Sequence, residues 1–376
     1  MPRSLDGVRV LDLTRLLPGG LCTLLLADLG AEIIKIESLD GGDYARWMPP
    51  LIDGQGAYFH ATNRAKKSVA LNLKDARGQA ALHRLAQSAD VLVESCRPGT
   101  TARLNCDYEA LKAINPRLIY CAMSGWGQTG PYAMDSGHDL NYIAVAGLIG
   151  ITPQPPGGQM ADIGGAYAAV AAITAALFGR EKSGEGAYLD IALFDAGLPF
   201  VTAQWVEAMS GDAGGRLTGR YACYNVYRAG DGQYVALAAL EPKFWANFCN
   251  AVSRPDLIED YLLPERQHYL LPELAELFAL RSAAEWETLL SGADCCFTRV
   301  NVLGDVLMHP QVQARGLLGV TDGIPWLRSP LRINDDAPIH QPAPGYGQHT
   351  RDMLRAAGYK DDELDALASA GVILGD

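Results

Sequence analysis

VRVLDLTRLLPGGLCTLLLADLGAEIIKIES, Val8 to Ser38, carries three patterns in succession. VRVLDL is a short apolar strand. LLPGG follows it, and LCTLLLADLG reads as a helix closing at Gly30. AEIIKIES, Ala31 to Ser38, is again a strand. Strand, helix and strand in that order open a parallel α/β unit. The alternation continues with a helix over 75–88, the strand DVLVES (Asp90 to Ser95), a helix from Tyr108 to Ile114 and the strand RLIYCAMS (Arg117 to Ser124). Continuous apolar strands with helices between them predict a sheet covered on both faces.

The glycines of the first turn decide one cofactor question. A dinucleotide fingerprint needs GxGxxG between the first strand and its helix. Here the turn is TRLLPGGLCT, with only Gly19-Gly20 and a proline. Glu37, at the end of the second strand, could imitate a ribose-binding acid, but without the glycines it reads as a strand-end acid. The pattern argues against a nicotinamide dinucleotide.

Beyond Gly125 the texture changes. GWGQTGP is a glycine-rich turn, and SGHDLNY (Ser136 to Tyr142) follows it. Residues 162–178 are mostly small and apolar, suited to close helix packing. GEGAYLDIALFDAGL reads as a strand running into a helix, and MSGDAGGRLTG (Met209 to Gly219) as a connection. YNVYRAGDGQYVALAAL is a hairpin turning at Ala229-Gly230-Asp231-Gly232. Helices dominate from Pro242 to Leu290. The expected division is 1–200 for the first part of a large Rossmann-like domain, 201–219 for a linker, and 220–330 for a smaller α+β domain. Residues 331–376 then return to the large domain.

The chain has 376 residues, is 49% hydrophobic and has a formal net charge of −12. Its length suits one large and one smaller core. The charge argues against an exposed nucleic-acid surface, although a local basic patch can still hold phosphates. No uninterrupted apolar run reaches the roughly 20 residues of a membrane span. Eight cysteines without a CxxC pair point to neither a zinc ribbon nor a thioredoxin-like site. The expectation is a reduced, cytoplasmic protein with no metal and no redox cofactor.

An ordered set of segments resembles the family III CoA-transferases, the group that also contains α-methylacyl-CoA racemase. The segments are DLTRLLPGG, LLADLGAEIIKIE, NRAKKSVALNLK, DVLVESCRPG, NPRLIY, SGWGQTGP, GHDLNYIAVAG, GEGAYLDIALFDA and PGYGQHT, and the resemblance runs from Leu5 to Gly371. It implies a Rossmann-like large domain, an interlocked homodimer, and coenzyme A as part of the substrate. Three features lean toward the racemase branch. GHDLNY resembles the segment with the racemase catalytic histidine, which maps onto His138. ADIGG resembles the segment with the opposing aspartate, Asp162. LEPKFW places Glu241 where an acid partners the histidine. The transferases use the aspartate matching Asp162 as a nucleophile.

On that basis the expected reaction is epimerisation of 2-methylacyl-CoA thioesters, with His138 and Asp162 on opposite faces of C2. A free histidine titrates near about 6.5 and an aspartate near about 3.9, so the reading requires a raised pKa at Asp162. Glu241 would set the tautomer of His138. The enolate oxygen would be held by a backbone N–H, from Asp139 or from the turn 125–130. The alternative is CoA transfer to a carboxylic acid through an aspartyl intermediate at Asp162. A third possibility, a non-catalytic acyl-CoA binder, needs no acid–base pair. Each residue also has a plain structural reading: a satisfied polar group for His138, a helix N-cap for Asp162, a helix start for Glu241-Pro242.

Coenzyme A carries several phosphate charges. Arg64, Lys66 and Lys67 in NRAKKS, Arg97 and Arg103 in ESCRPGTTARL, and Arg46 in GGDYARW are the expected phosphate ligands. Arg299, in FTRV, departs from the proline common among relatives and is a candidate to meet a carboxylate on the acyl group.

Overall fold

The computed structural model describes residues 3–211, 215–321, 323–334, 339 and 341–375. The expected connection over 209–219 lies partly outside them. The chain packs into two units. One comprises Met1–Leu148, Gln154–Pro199 and Gln311–Asp376; the other comprises Ile149–Pro153 and Phe200–Pro310.

The first unit is built on β1 (Arg9–Leu13), α1 (Leu16–Asp28), β2 (Glu32–Glu37), α2 (Ala57–Asn63), β3 (Lys67–Ala70), α3 (Ala76–Ala86), β4 (Val91–Glu94), β5 (Ile119–Ser124), α4 (Asp139–Val145), α5 (Met160–Ser183) and β6 (Ala187–Ala192). All six strands are parallel, in the order β3-β2-β1-β4-β5-β6. This is the doubly wound arrangement that the opening strand–helix–strand predicts. The winding reverses between β1 and β4, and such a switch point leaves a crevice beyond the carboxyl ends of those two strands.

Local chemistry explains the departures from the sequence reading. Helix α1 begins at Leu16 rather than Leu21, so Pro18 sits in its first turn, where a missing N–H costs little. Gly19 then lies inside the helix because a Cβ there would fall 2.2 Å from the Thr14 Cβ. The apolar strand residues Leu11, Ile34, Val69 and Leu92 pack with Leu82 and Leu85 of α3. Leu354, Leu364 and Val372, from the C-terminal segment, complete that core.

Helix α5 is 24 residues long, seven more than the apolar stretch over 162–178 suggests. It packs against α1, and at Gly165 a Cβ would meet Leu193 at 2.3 Å, so close contact requires the glycine. Among the described residues α5 alone has the length and composition of a membrane span, a test that apolar core helices also pass.

The second unit pairs β7 (Tyr224–Arg228), β8 (Tyr234–Ala238) and β9 (Phe297–Arg299) in an antiparallel sheet. The expected hairpin is β7–β8. Helices α6 (Pro242–Ala251), α7 (Gln267–Ala279) and α8 (Ala283–Leu290) cover it around Trp245, Phe248, Phe278 and Trp286. Both buried indoles are satisfied: Trp245 Nε1 donates to the Leu257 carbonyl at 3.0 Å, and Trp286 Nε1 to the Phe278 carbonyl at 2.8 Å.

Candidate active site

A fully buried charge network fixes the wall of the crevice. Asp12, on β1, accepts from the Thr14 backbone N–H at 2.9 Å, from Thr23 Oγ1 at 2.7 Å and from Lys66 Nζ at 3.1 Å. Lys35, on β2, lies 3.0 Å from Asp43 and donates to the Thr14 carbonyl at 2.8 Å. Asp43 in turn accepts from the Leu16 N–H at 3.2 Å, where the backbone takes φ 61°. Burial alone would raise the Asp12 carboxyl, but Lys35 and Lys66 hold it far below the usual range. Burial brings the Lys66 amine down to about 8. The network pins the loop 14–16 and leaves Arg15 exposed at its crest.

Two cavities of about 750 Å³ each adjoin this loop. Both are lined by Arg15, Tyr44, Ser95, Cys96 and Arg97. The first extends over the carboxyl ends of β1 to β4 and includes Asn72, Lys74 and Thr100. The second reaches the end of β5 and includes Ser124, Trp126, His138, Asn141, Tyr142 and Asp162. The turn 95–97 is held by a short bond from the Cys96 N–H to the Glu94 carboxylate, 2.6 Å. Glu94 is buried, and that burial raises its carboxyl to about 7.

His138 and Asp162 therefore open onto one cavity. His138 is the exposed residue preceding α4; its backbone N–H donates to Asn141 Oδ1 at 3.0 Å. Asp162 is the third residue of α5, not its N-cap, which is Gln159. Among the described residues no donor bonds to the Asp162 carboxylate, so its lone pairs are free. Its pKa is pushed up to about 6, by burial first and then by the Asp139 charge, against the opposing pull of His138. The aromatic wall is tight: Trp126 meets Tyr142 edge-on at 4.9 Å and Phe194 at 5.6 Å.

The expected phosphate ligands divide sharply. Arg46 is buried in a fork on Glu37, at 2.8 and 2.7 Å, with its remaining nitrogen on Gln55 and the Pro344 carbonyl. Arg64 forks onto Asp28 at 2.6 Å on both arms. Lys66 belongs to the Asp12 network. These three are internal counter-ions, and none of them lines either of the two cavities. Lys67 pairs with Glu32 at 2.6 Å at the amino end of β3, away from the crevice. Arg97 lines both cavities, and Arg103 is exposed, donating to Thr100 Oγ1 at 3.0 Å.

Arg15, Lys74 and Tyr44 were missed. A rule for parallel sheets would have found the two cations: basic residues just after a strand reach the ligand end, and those just before it do not. Asp139 is buried, with its carboxylate on the Asp162 N–H at 3.1 Å, a contact the sequence reading did not foresee. Glu241 is the exposed N-cap position of α6 in the second unit. Arg299 lies in the same unit, 3.9 Å from Asp305.

Residues 5–350 match the family model described as CoA-transferase family III. The chain belongs to this family. As a family III protein it is 33% identical to mouse succinyl-CoA:glutarate CoA-transferase, over 99% of this chain and 90% of that protein. It is equally 33% identical to mouse α-methylacyl-CoA racemase, over 99% of this chain and 98% of the relative. Among solved structures, a CAIB/BAIF family protein from Brucella suis superposes with a TM-score of 0.83 at 31% identity, covering 95% of this chain and all of that one. Membership in a family of CoA enzymes makes the chain an enzyme acting on CoA substrates. The relatives include both chemistries and give no clear preference for the racemase branch.

Proposed function

We propose that the chain transfers coenzyme A between an acyl-CoA thioester and a carboxylic acid, with Asp162 as nucleophile. The observation that carries this is a half-buried carboxylate with free lone pairs in the lining of a cavity of about 750 Å³. Asp162 attacks the acyl carbonyl and the CoA thiolate leaves, forming a mixed anhydride. The thiolate returns to the aspartyl carbonyl, releasing the donor acid and leaving an Asp162–CoA thioester. The acceptor carboxylate displaces CoA to form a second anhydride, and attack of CoA on its acyl carbonyl frees Asp162. An acidity near 6 keeps the group mostly ionised at neutral pH and still a competent leaving group. The named relatives support a dicarboxylic pair such as succinate and glutarate. The interlocked homodimer implied by the resemblance and the cytoplasmic setting expected from the cysteines belong to this proposal.

Arg15, Arg97 and Lys74 supply the positive wall for the CoA phosphates. Arg97→Ala is expected to weaken CoA binding roughly 10-fold or more, the worth of one charge-assisted bond. Lys67→Ala should change it less than about twofold. Titration calorimetry with free CoA reads both, and equal losses would sink this assignment.

One observation favours a second reading. His138 shares the cavity with Asp162 and its charge acts on that carboxyl. In that reading the pair exchanges the C2 proton of a 2-methylacyl-CoA, with the Asp139 N–H as the enolate donor. Incubation of (S)-2-methylacyl-CoA in deuterated water without an acceptor separates the two. Transfer chemistry predicts no C2 deuterium and a His138→Ala variant retaining transfer within about 10-fold. Deuterium uptake with loss of configuration, abolished in His138→Ala, establishes proton transfer instead.

A further inference from the structure

The head of α5 holds two carboxylates where a helix usually holds one. Asp162 sits in the first turn, where unpaired N–H groups and the helix dipole favour an anion and so lower its pKa. Asp139 occupies the Asp162 N–H itself, at 3.1 Å, from the first turn of α4. Asp139 is 7% exposed and its own charge is not matched by any ion pair among the described residues. A buried negative charge there both takes up the helix donor and repels a second charge on Asp162.

We infer that Asp139 is a positioning residue for Asp162, anchoring the backbone of its turn and placing a second buried carboxylate beside it. This deepens the Asp162 reading and rests on it. The groups facing Asp162 can be enumerated. Asp139, His138 and Tyr142 come from α4 and the residue before it, and Tyr58 comes from α2. Arg15 and Arg97 line the same cavity from the β1 and β4 loops. Asp195, on the short helix after β6, has Asp190 as its charged neighbour. His138 favours the Asp162 anion; Asp139 is the carboxylate opposing it. The raised pKa of Asp162 follows from burial with Asp139 behind it.

The sign is fixed by this arrangement. Below its pKa Asp162 is protonated and cannot attack, so kcat/KM falls on the acid side with a limb near 6. Asp139→Asn keeps an oxygen for the Asp162 N–H and removes the charge. The acid limb is then expected to move about one unit toward lower pH, with a CoA Kd within about twofold of wild type. Asp139→Ala loses the acceptor as well, so its limb should move similarly while kcat drops further. Asp139→Ser serves as the neutral variant if either of these fails to fold.

The pH profile of kcat/KM, recorded for wild type, Asp139→Asn, Asp139→Ser and Asp162→Ala in one CoA-transfer assay, tests the inference. A limb displaced in the neutral variants supports it. A limb unmoved in folded Asp139→Asn or Asp139→Ser overturns it, since a purely structural cap would lower activity at every pH. An Asp162→Ala enzyme that keeps its activity overturns the nucleophile reading instead, so the two failures are distinguishable.

Discussion

Asp162→Ala abolishes CoA transfer by a factor on the order of 10³ or more, while the protein folds and still binds CoA. Loss of a covalent nucleophile removes the whole two-step route, and what remains is only the rate that binding and electrostatics provide. The cavity predicts the intact binding: the cations that line it come from the β1, β3 and β4 loops, not from α5. Removing a half-buried carboxyl whose pKa burial has already raised does not cost the fold a favourable charge. The substitution also relieves the repulsion from Asp139, so the thermal midpoint should hold or rise. Steady-state transfer with succinyl-CoA and glutarate, with CoA titration alongside, reads the effect. An enzyme within 10-fold of wild type contradicts the assignment.

Asp12→Ala carries the largest expected loss of stability. Asp12 is the shared counter-ion of two lysines with no exposed side-chain surface, Lys66 at 3.1 Å and Lys35 at 3.9 Å. Its removal leaves Lys66 a buried cation with hydroxyl and carbonyl partners only, and deprives Lys35 of one of its carboxylates. Breaking a buried pair in this way costs about 3–5 kcal/mol, well above the worth of the contact itself. The pH dependence has a definite sign. The folded Asp12 carboxyl lies below its ordinary 3.8, so its contribution is present above that value and lost as pH falls further. Urea unfolding at pH 7 measures the cost, and a loss below about 1 kcal/mol contradicts it. Because the network pins the loop 14–16, folded protein recovered from this variant should also bind CoA more weakly.

The sheet was legible because buried parallel strands write themselves as short apolar runs, and VRVLDL, EIIKIE, VLVE and IYCAMS do so. Helix α1 was less so, since its early start at Leu16 is held by Asp43, 27 residues on, which accepts from the Leu16 N–H. The ion pairs of the basic cluster NRAKKS were hidden too. Its carboxylate partners, Asp28, Asp12 and Glu32, lie 35 to 54 residues away in sequence, and only the fold brings them together. Of the pair His138 and Asp162, the resemblance supplied the identities and the fold supplied the shared cavity. The Asp139 contact spans 23 residues and turns on which face of α4 meets α5, which no local pattern encodes.

The central claim is a covalent bond at Asp162. The direct measurement is mass spectrometry of the peptide containing Asp162 after brief incubation with an acyl-CoA donor, acid quench and digestion. The account predicts a CoA-sized adduct on that residue, absent from Asp162→Ala and removed by adding an acceptor acid. An unmodified peptide in an enzyme that moves deuterium into C2 of a 2-methylacyl-CoA would contradict it and leave proton transfer between His138 and Asp162 as the chemistry of the site.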